Sequence, residues 1–177
     1  MCGTPKENAD ASFYYLWFMM RPIILFAVLL LLAQLGHSQQ LYHKWFGKAT
    51  DPALVFLHGG PGYNSASFEV DMAPRLAKLG YQVMVYDQRG CGRSEAVTGT
   101  YTYAEAVEDL RVLIAERGVA QAHLLGHSFG GTIAVKFAEQ HPAIVASIVL
   151  ISAPMDFPAC FRSIQENCRK AMDAKDD

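Results

Sequence analysis

Apolar residues in this chain fall into short runs that end in glycine or a polar turn. Between these runs lie stretches with apolar positions three and four apart. Leu54-Val55-Phe56-Leu57 leads into His58-Gly59-Gly60-Pro61-Gly62, and residues 81–86, with Val83 and Val85 inside, lead into Asp87-Gln88-Arg89-Gly90-Cys91-Gly92-Arg93-Ser94. Residues 122–125 lead into Gly126-His127-Ser128-Phe129-Gly130-Gly131. Each run has the length and composition of a buried strand, so three motifs stand at three strand ends. Residues 144–151 read as a further buried strand.

The intervening stretches read as helices. Thr102-Tyr103-Ala104-Glu105 is a capping box; Val107, Leu110 and Leu113 or Ile114 follow at helical spacing, and Gly118 closes an amphipathic helix of about four turns. Residues 71–79 form a shorter helix, with Pro74 confined to its first turn and Gly80 at its end. Residues 132–140 make a third, ended by His141-Pro142. This alternation predicts an α/β fold: a mostly parallel sheet with helices on both faces.

The chemistry sits in the turns. A serine between a strand and a helix, framed by Gly126 and Gly130, has the pattern of a nucleophile elbow, in which a strained turn lifts the hydroxyl clear of the sheet. Acyl transfer also needs two backbone N–H groups converging on the developing oxyanion. Phe129 offers one; the other comes from the glycine loop, with Gly60 preferred and Gly59 the alternative. The motif at residues 87–94 reads as structural, with Asp87 and Arg89 available to hold the floor of the site.

These three motifs, in this order, resemble the proline iminopeptidase branch of the α/β-hydrolases over residues 54–154. The resemblance implies an α/β-hydrolase fold and a Ser-His-Asp enzyme that releases an N-terminal proline, or a similar small residue, from peptides. Related amidases and esterases share the pattern, so a small peptide, amide or ester is the expected substrate.

An imidazole must take the serine proton, and a carboxylate must hold that imidazole. In α/β-hydrolases both follow the serine in the chain. No histidine follows His141, and the position of His141 at the end of the elbow helix fits a cap. His127 reads as packing, because neighbours on a sharp turn point apart. His58 reads as a structural hydrogen-bonding group and His123 as a core or edge residue, while His37 and His43 flank the N-terminal apolar run. Asp156 is a weak candidate acid, just beyond a strand end, and Glu166 reads as solvated. The hydrolase pattern thus breaks off after the strand that follows the elbow helix, which leaves a C-terminal half as an expected partner. The resulting division is 1–38 as an extension, 39–157 as the N-terminal part of the hydrolase domain, and 158–177 as the start of a lid or a frayed tail.

Residues 22–40 carry no charge, and an apolar core over 23–35 follows Arg21, the layout of a signal peptide with cleavage before Gln39. Export is therefore expected. Taken with the apolar residues 13–20, the same segment reaches the length of an uncleaved anchor, the alternative and the one expected route to a membrane. A net charge of −2 without a basic run excludes nucleic acid as an expected partner, and no residue spacing calls for a metal or other cofactor. Of the four cysteines, Cys160 and Cys168 can pair only if they do not share one helix, where they would stand about 12 Å apart. Besides the hydrolase, two readings remain open: a binding protein that retains the site without a base, and a membrane-anchored scaffold.

Overall fold

The computed structural model describes residues 18–22 and 40–174. The chain divides into two units, Met1–Gln40 and Leu41–Asp177. In the first, residues 18–22 are helical and exposed. The apolar core at 23–35 lies outside the described residues, and with it the expectations of a signal peptide or an anchor. Among the described residues no helix is long and apolar enough to cross a membrane.

The second unit is built on five strands: β1 (His43–Phe46), β2 (Ala53–Leu57), β3 (Gln82–Tyr86), β4 (Ala122–His127) and β5 (Val145–Ile151). Their order in the sheet is β1-β3-β2-β4-β5. β2, β3, β4 and β5 run parallel, and β1 pairs antiparallel with β3. Among the described residues five α-helices complete the unit: α1 (Ala66–Val70), α2 (Met72–Lys78), α3 (Tyr103–Glu116), α4 (Phe129–Gln140) and α5 (Phe157–Asp173).

Side-chain alternation along the strands divides the core in two. On one face, Val55, Leu57, Met84, Tyr86 and Leu124 meet α3 through Val107, Leu110 and Ile114, and α4 through Ile133 and Phe137. On the other, Phe56, Val83 and Val85 meet Ala73, Phe68 and Leu76 of the α1–α2 pair. The rings of Phe56 and Phe68 stack there, with centroids 3.8 Å apart. Both faces of the sheet are therefore covered over β2, β3 and β4, as the alternation of elements predicts.

Helix ends follow the residues named above. The Thr102 hydroxyl accepts from the Glu105 N–H at 3.3 Å, and Gly118 takes a φ of +71° beyond α3. Glu105 reaches back one residue further than a capping box requires, accepting from the Tyr101 N–H at 2.8 Å. Pro74 stands in the first turn of α2, where its missing N–H is harmless.

Two segments depart from expectation. β5 is a strand, but it is not buried: it forms the edge of the sheet, with Val149, Leu150 and Ile151 51%, 43% and 44% exposed. An apolar run encodes strand conformation; it does not encode which neighbour covers it. The tail, read as the start of a lid or a frayed end over 158–177, is helical through Asp173 and so is not frayed over that stretch. Asp156 caps α5, accepting from the Ala159 N–H at 2.9 Å, and Pro158 occupies its first turn. Phe157, Phe161, Ile164, Cys168 and Met172 recur along it at helical spacing, and Glu166 pairs with Lys170. Cys160 and Cys168 share this helix, and both are free and exposed.

Candidate active site

Ser128 stands between the last residue of β4 and the first of α4, with φ +50° and ψ −122°. This conformation is strained for a residue with a Cβ, at roughly 1–3 kcal/mol, and persists only where the surroundings impose it. Here the Ser128 N–H donates to Ile151 O at 2.9 Å, and the Gly131 N–H donates to Ser128 O at 2.9 Å. The strand on one side and the helix on the other thus hold both ends of the turn. Glycine is required beside it. A Cβ on Gly130 would press into the carbonyls of Leu57 and His58, so α4 can lie this close to the end of β2 only without one.

The glycine loop after β2 is fixed by His58. Its Nδ1 donates to Gly59 O at 2.6 Å, and its Nε2 accepts from the Gln88 N–H at 2.9 Å. An acceptor at Nε2 places the proton on Nδ1, so the ring is neutral. Burial also pushes its pKa below the ordinary histidine value. The Gln88 side chain closes the clamp, donating to His58 O at 2.6 Å. The peptide between Gly59 and Gly60 is trans, so its N–H points away from the carbonyl that His58 holds. Gly60 itself has φ +144°, and its N–H is aimed away from the imidazole. The Phe129 N–H is the first of α4 and has no partner within the helix.

Behind this loop lies an ionic network that the sequence pattern does not display. Buried Asp87 accepts from the Ser65 N–H and hydroxyl at 2.8 and 2.7 Å, and from Arg93 Nε at 2.7 Å. Arg93 also donates to Glu69 at 2.6 Å and lies over the Tyr42 ring, while Lys44 donates to Glu69 at 3.0 Å. Burial alone would raise the Asp87 carboxyl; the hydrogen bonds from Arg93 and Ser65 outweigh it and hold the group well below the usual carboxylate range. Cys91 belongs to the same wall, its Sγ accepting from the Gly62 N–H at 3.3 Å. Asp87 supports the floor as expected. Arg89 instead forks onto Asp109, at 3.0 and 2.5 Å, and donates to Thr98 O. Ser65, Glu69, Arg93 and Asp109 were not singled out from the sequence. An arginine within a glycine-rich turn is the one available signal for this network, because its partners come from distant elements.

Ser128, His127, Gly59, Gly60 and Tyr63 border an open cavity of about 380 Å³. His127 and Ser128 both flank Gly59, a closer grouping than the divergent directions expected of neighbours. The remaining described histidines are engaged elsewhere. His123 bonds Ser147 at 2.8 Å, His43 bonds Leu41 O at 3.1 Å, and His141 caps α4 against the Phe137 ring. The Asp156 carboxylate is occupied as the cap of α5. Among the described residues no group of three or more His, Cys, Asp or Glu could hold a metal ion.

Comparison with known proteins agrees with this geometry. The sequence profile of the alpha/beta hydrolase fold matches residues 52–173. A proline iminopeptidase of Lactobacillus delbrueckii subsp. lactis is 40% identical over 119 residues, covering 64% of this chain and 40% of the relative. The chain thus spans about two-fifths of the length of the curated relatives it matches. Among solved structures, a proline iminopeptidase-related protein from Thermus thermophilus superposes with a TM-score of 0.60 at 32% identity, covering 67% of this chain and 42% of that one. An esterase from Exiguobacterium antarcticum superposes with a TM-score of 0.57 at 32% identity, covering 64% and 41%. Strained serine, glycine loop and parallel sheet accordingly share one ancestry: the chain belongs to the α/β-hydrolase fold family.

Proposed function

We propose that this chain is the nucleophile-bearing part of a serine hydrolase that cleaves peptides, amides or esters, with an N-terminal proline or similarly small residue as the preferred acyl group. The observation that carries this reading is the strained Ser128 between β4 and α4, facing the Gly59–Gly60 loop. Ser128 Oγ attacks the carbonyl carbon and its proton passes to a base. The N–H groups of Gly60 and Phe129 receive the oxyanion, with Gly59 the alternative on the loop. The base returns the proton to the departing amine or alcohol as the carbon–nitrogen or carbon–oxygen bond breaks, and water then releases the acyl group. The base is a histidine from sequence that this chain does not span, or from a partner chain.

The histidine positions favour a second reading for the chain alone, a binding protein that keeps the site without turnover. Assay of this chain with proline 4-nitroanilide tests whether it works without an added base. The expected result is no turnover by this chain alone. Turnover that Ser128→Ala abolishes would place a working base within the chain and overturn that part of the reading.

A further inference from the structure

Helices in folded proteins gain most of their stability by burying an apolar face, yet among the described residues α5 buries none of its 17 side chains. Phe157 alone approaches another aromatic element, its ring centroid 6.4 Å from that of Phe129. Phe161 and Ile164 are 60% and 51% exposed, and Cys160 and Cys168 are exposed and free. At 3.6 residues per turn these five and Ala171 fall within an arc of about 100°. The charges lie on the far side, where Glu166 holds Lys170 at 2.8 Å. Gln165 and Asn167, at the two borders of the arc, are uncharged. A helix lying on an anionic lipid surface gains by placing lysine or arginine on the polar side of its seam with the apolar face, so uncharged borders fit a protein partner better.

The apolar face is also symmetric along the chain. Cys160 and Cys168 stand four residues to either side of Ile164, and Phe157 and Ala171 seven to either side. In an antiparallel pair of identical helices related by a two-fold axis, each residue before the axis meets the one equally far beyond it on the other copy. With the axis at Ile164, Phe157 meets the small Ala171 and each Cys160 meets the second copy's Cys168. Helices packed about 8–9 Å apart, with Cα atoms about 2.3 Å from each axis, leave such cysteines about 5–6 Å apart at Cα, a span that a disulfide bridges. Within one helix the same two cysteines are about 12 Å apart and cannot bond.

We infer that α5 is a self-association surface, pairing antiparallel with α5 of a second copy, and that two Cys160–Cys168 disulfides between the copies lock the pair under oxidising conditions. The helix is about 26 Å long and its apolar arc about 10 Å wide, so pairing covers roughly 300 Å² per copy, against about 800 Å² in a stable interface. The non-covalent pair is therefore weak, and the disulfides make it persist. Each forms by exchange with a small disulfide such as oxidised glutathione. Cys160 Sγ displaces one glutathione thiolate, and the second copy's Cys168 Sγ displaces the other. Two electrons and two protons pass from the cysteines to glutathione. None of this draws on the hydrolase reading.

The test uses the chain carrying Cys2→Ser, incubated with oxidised glutathione and resolved by non-reducing electrophoresis and mass mapping of tryptic peptides. Trypsin cuts after Arg162 and Arg169, so Cys160 and Cys168 fall in different peptides. The expected product is a reductant-sensitive dimer joined by Cys160–Cys168 links. Cys160→Ser and Cys168→Ser should each abolish it, because in the antiparallel pair neither cysteine faces its own counterpart. Ile164→Lys, at the exposed position on the axis, should slow dimer formation at least roughly tenfold, the worth of burying that side chain, with helicity retained in circular dichroism. A dimer that survives either serine variant, carries Cys160–Cys160 or Cys168–Cys168 links, or forms as fast in Ile164→Lys overturns the inference. A monomer glutathionylated at both cysteines overturns it too. So does a monomer whose cysteines phosphatidylglycerol vesicles shield from glutathione, which assigns the face to lipid.

Discussion

Ser128 holds a backbone conformation that favours glycine, a strain that supports the proposed role of its hydroxyl as the nucleophile. Ser128→Gly should therefore raise stability by about 1 kcal/mol, relief of the strain being partly offset by the freedom glycine gains when unfolded. Equilibrium urea denaturation measures this; a destabilised glycine variant would show that the turn is not strained. The elbow was legible in the sequence because Gly126 and Gly130 record the close approach that the turn demands. The Arg93 network was not legible. Its partners Ser65, Glu69 and Asp87 come from a loop, α1 and the end of β3, and no periodicity links them before the chain folds. His58 lies between these cases. Its structural role was readable from the glycine loop, but the Gln88 clamp on its ring and carbonyl needed coordinates.

At the scale of elements, β2, β3 and β4 were readable because each is an apolar run ended by glycine or a polar turn. β1 was not: His43 and Lys44 lead a four-residue antiparallel strand whose pairing with β3 carries no apolar signal of its own. β5 was readable as a strand but not as an edge. Val149 and Ile151 face one side of it and Leu150 the other, and all three are exposed along unpaired backbone, an arrangement that invites strand addition. Concentration-dependent self-association is the expected consequence, and Val149→Lys should suppress it in sedimentation velocity. Association unaffected by that lysine would exclude the β5 edge as the contact.

For the whole molecule, stability depends on groups whose ionisation the fold has shifted. Burial holds His58 neutral, so below the unfolded value of about 6.5 the unfolded chain takes up a proton that the native imidazole resists. Stability is then lost as pH falls from about 7 through the lowered native value. A second loss follows below about pH 5, where unfolded carboxyls protonate while Asp87 and Glu69, held down by Arg93, do not. Urea midpoints should therefore decline in two stages on acidification; a flat response between pH 7.5 and 5.5 would contradict the neutral, clamped His58.

The central proposal is that Ser128 is a nucleophile whose base comes from outside the described residues, and acylation tests it most directly. A positioned general base contributes about 10²–10⁴ in rate, and imidazole added in solution can enter the cavity beside Ser128 and supply part of that. Intact-mass analysis after exposure to 4-nitrophenyl acetate should show a single acetyl group on Ser128 that forms faster with imidazole and is absent from Ser128→Ala. Equal acetylation of the native chain and Ser128→Ala, with or without imidazole, would contradict the account.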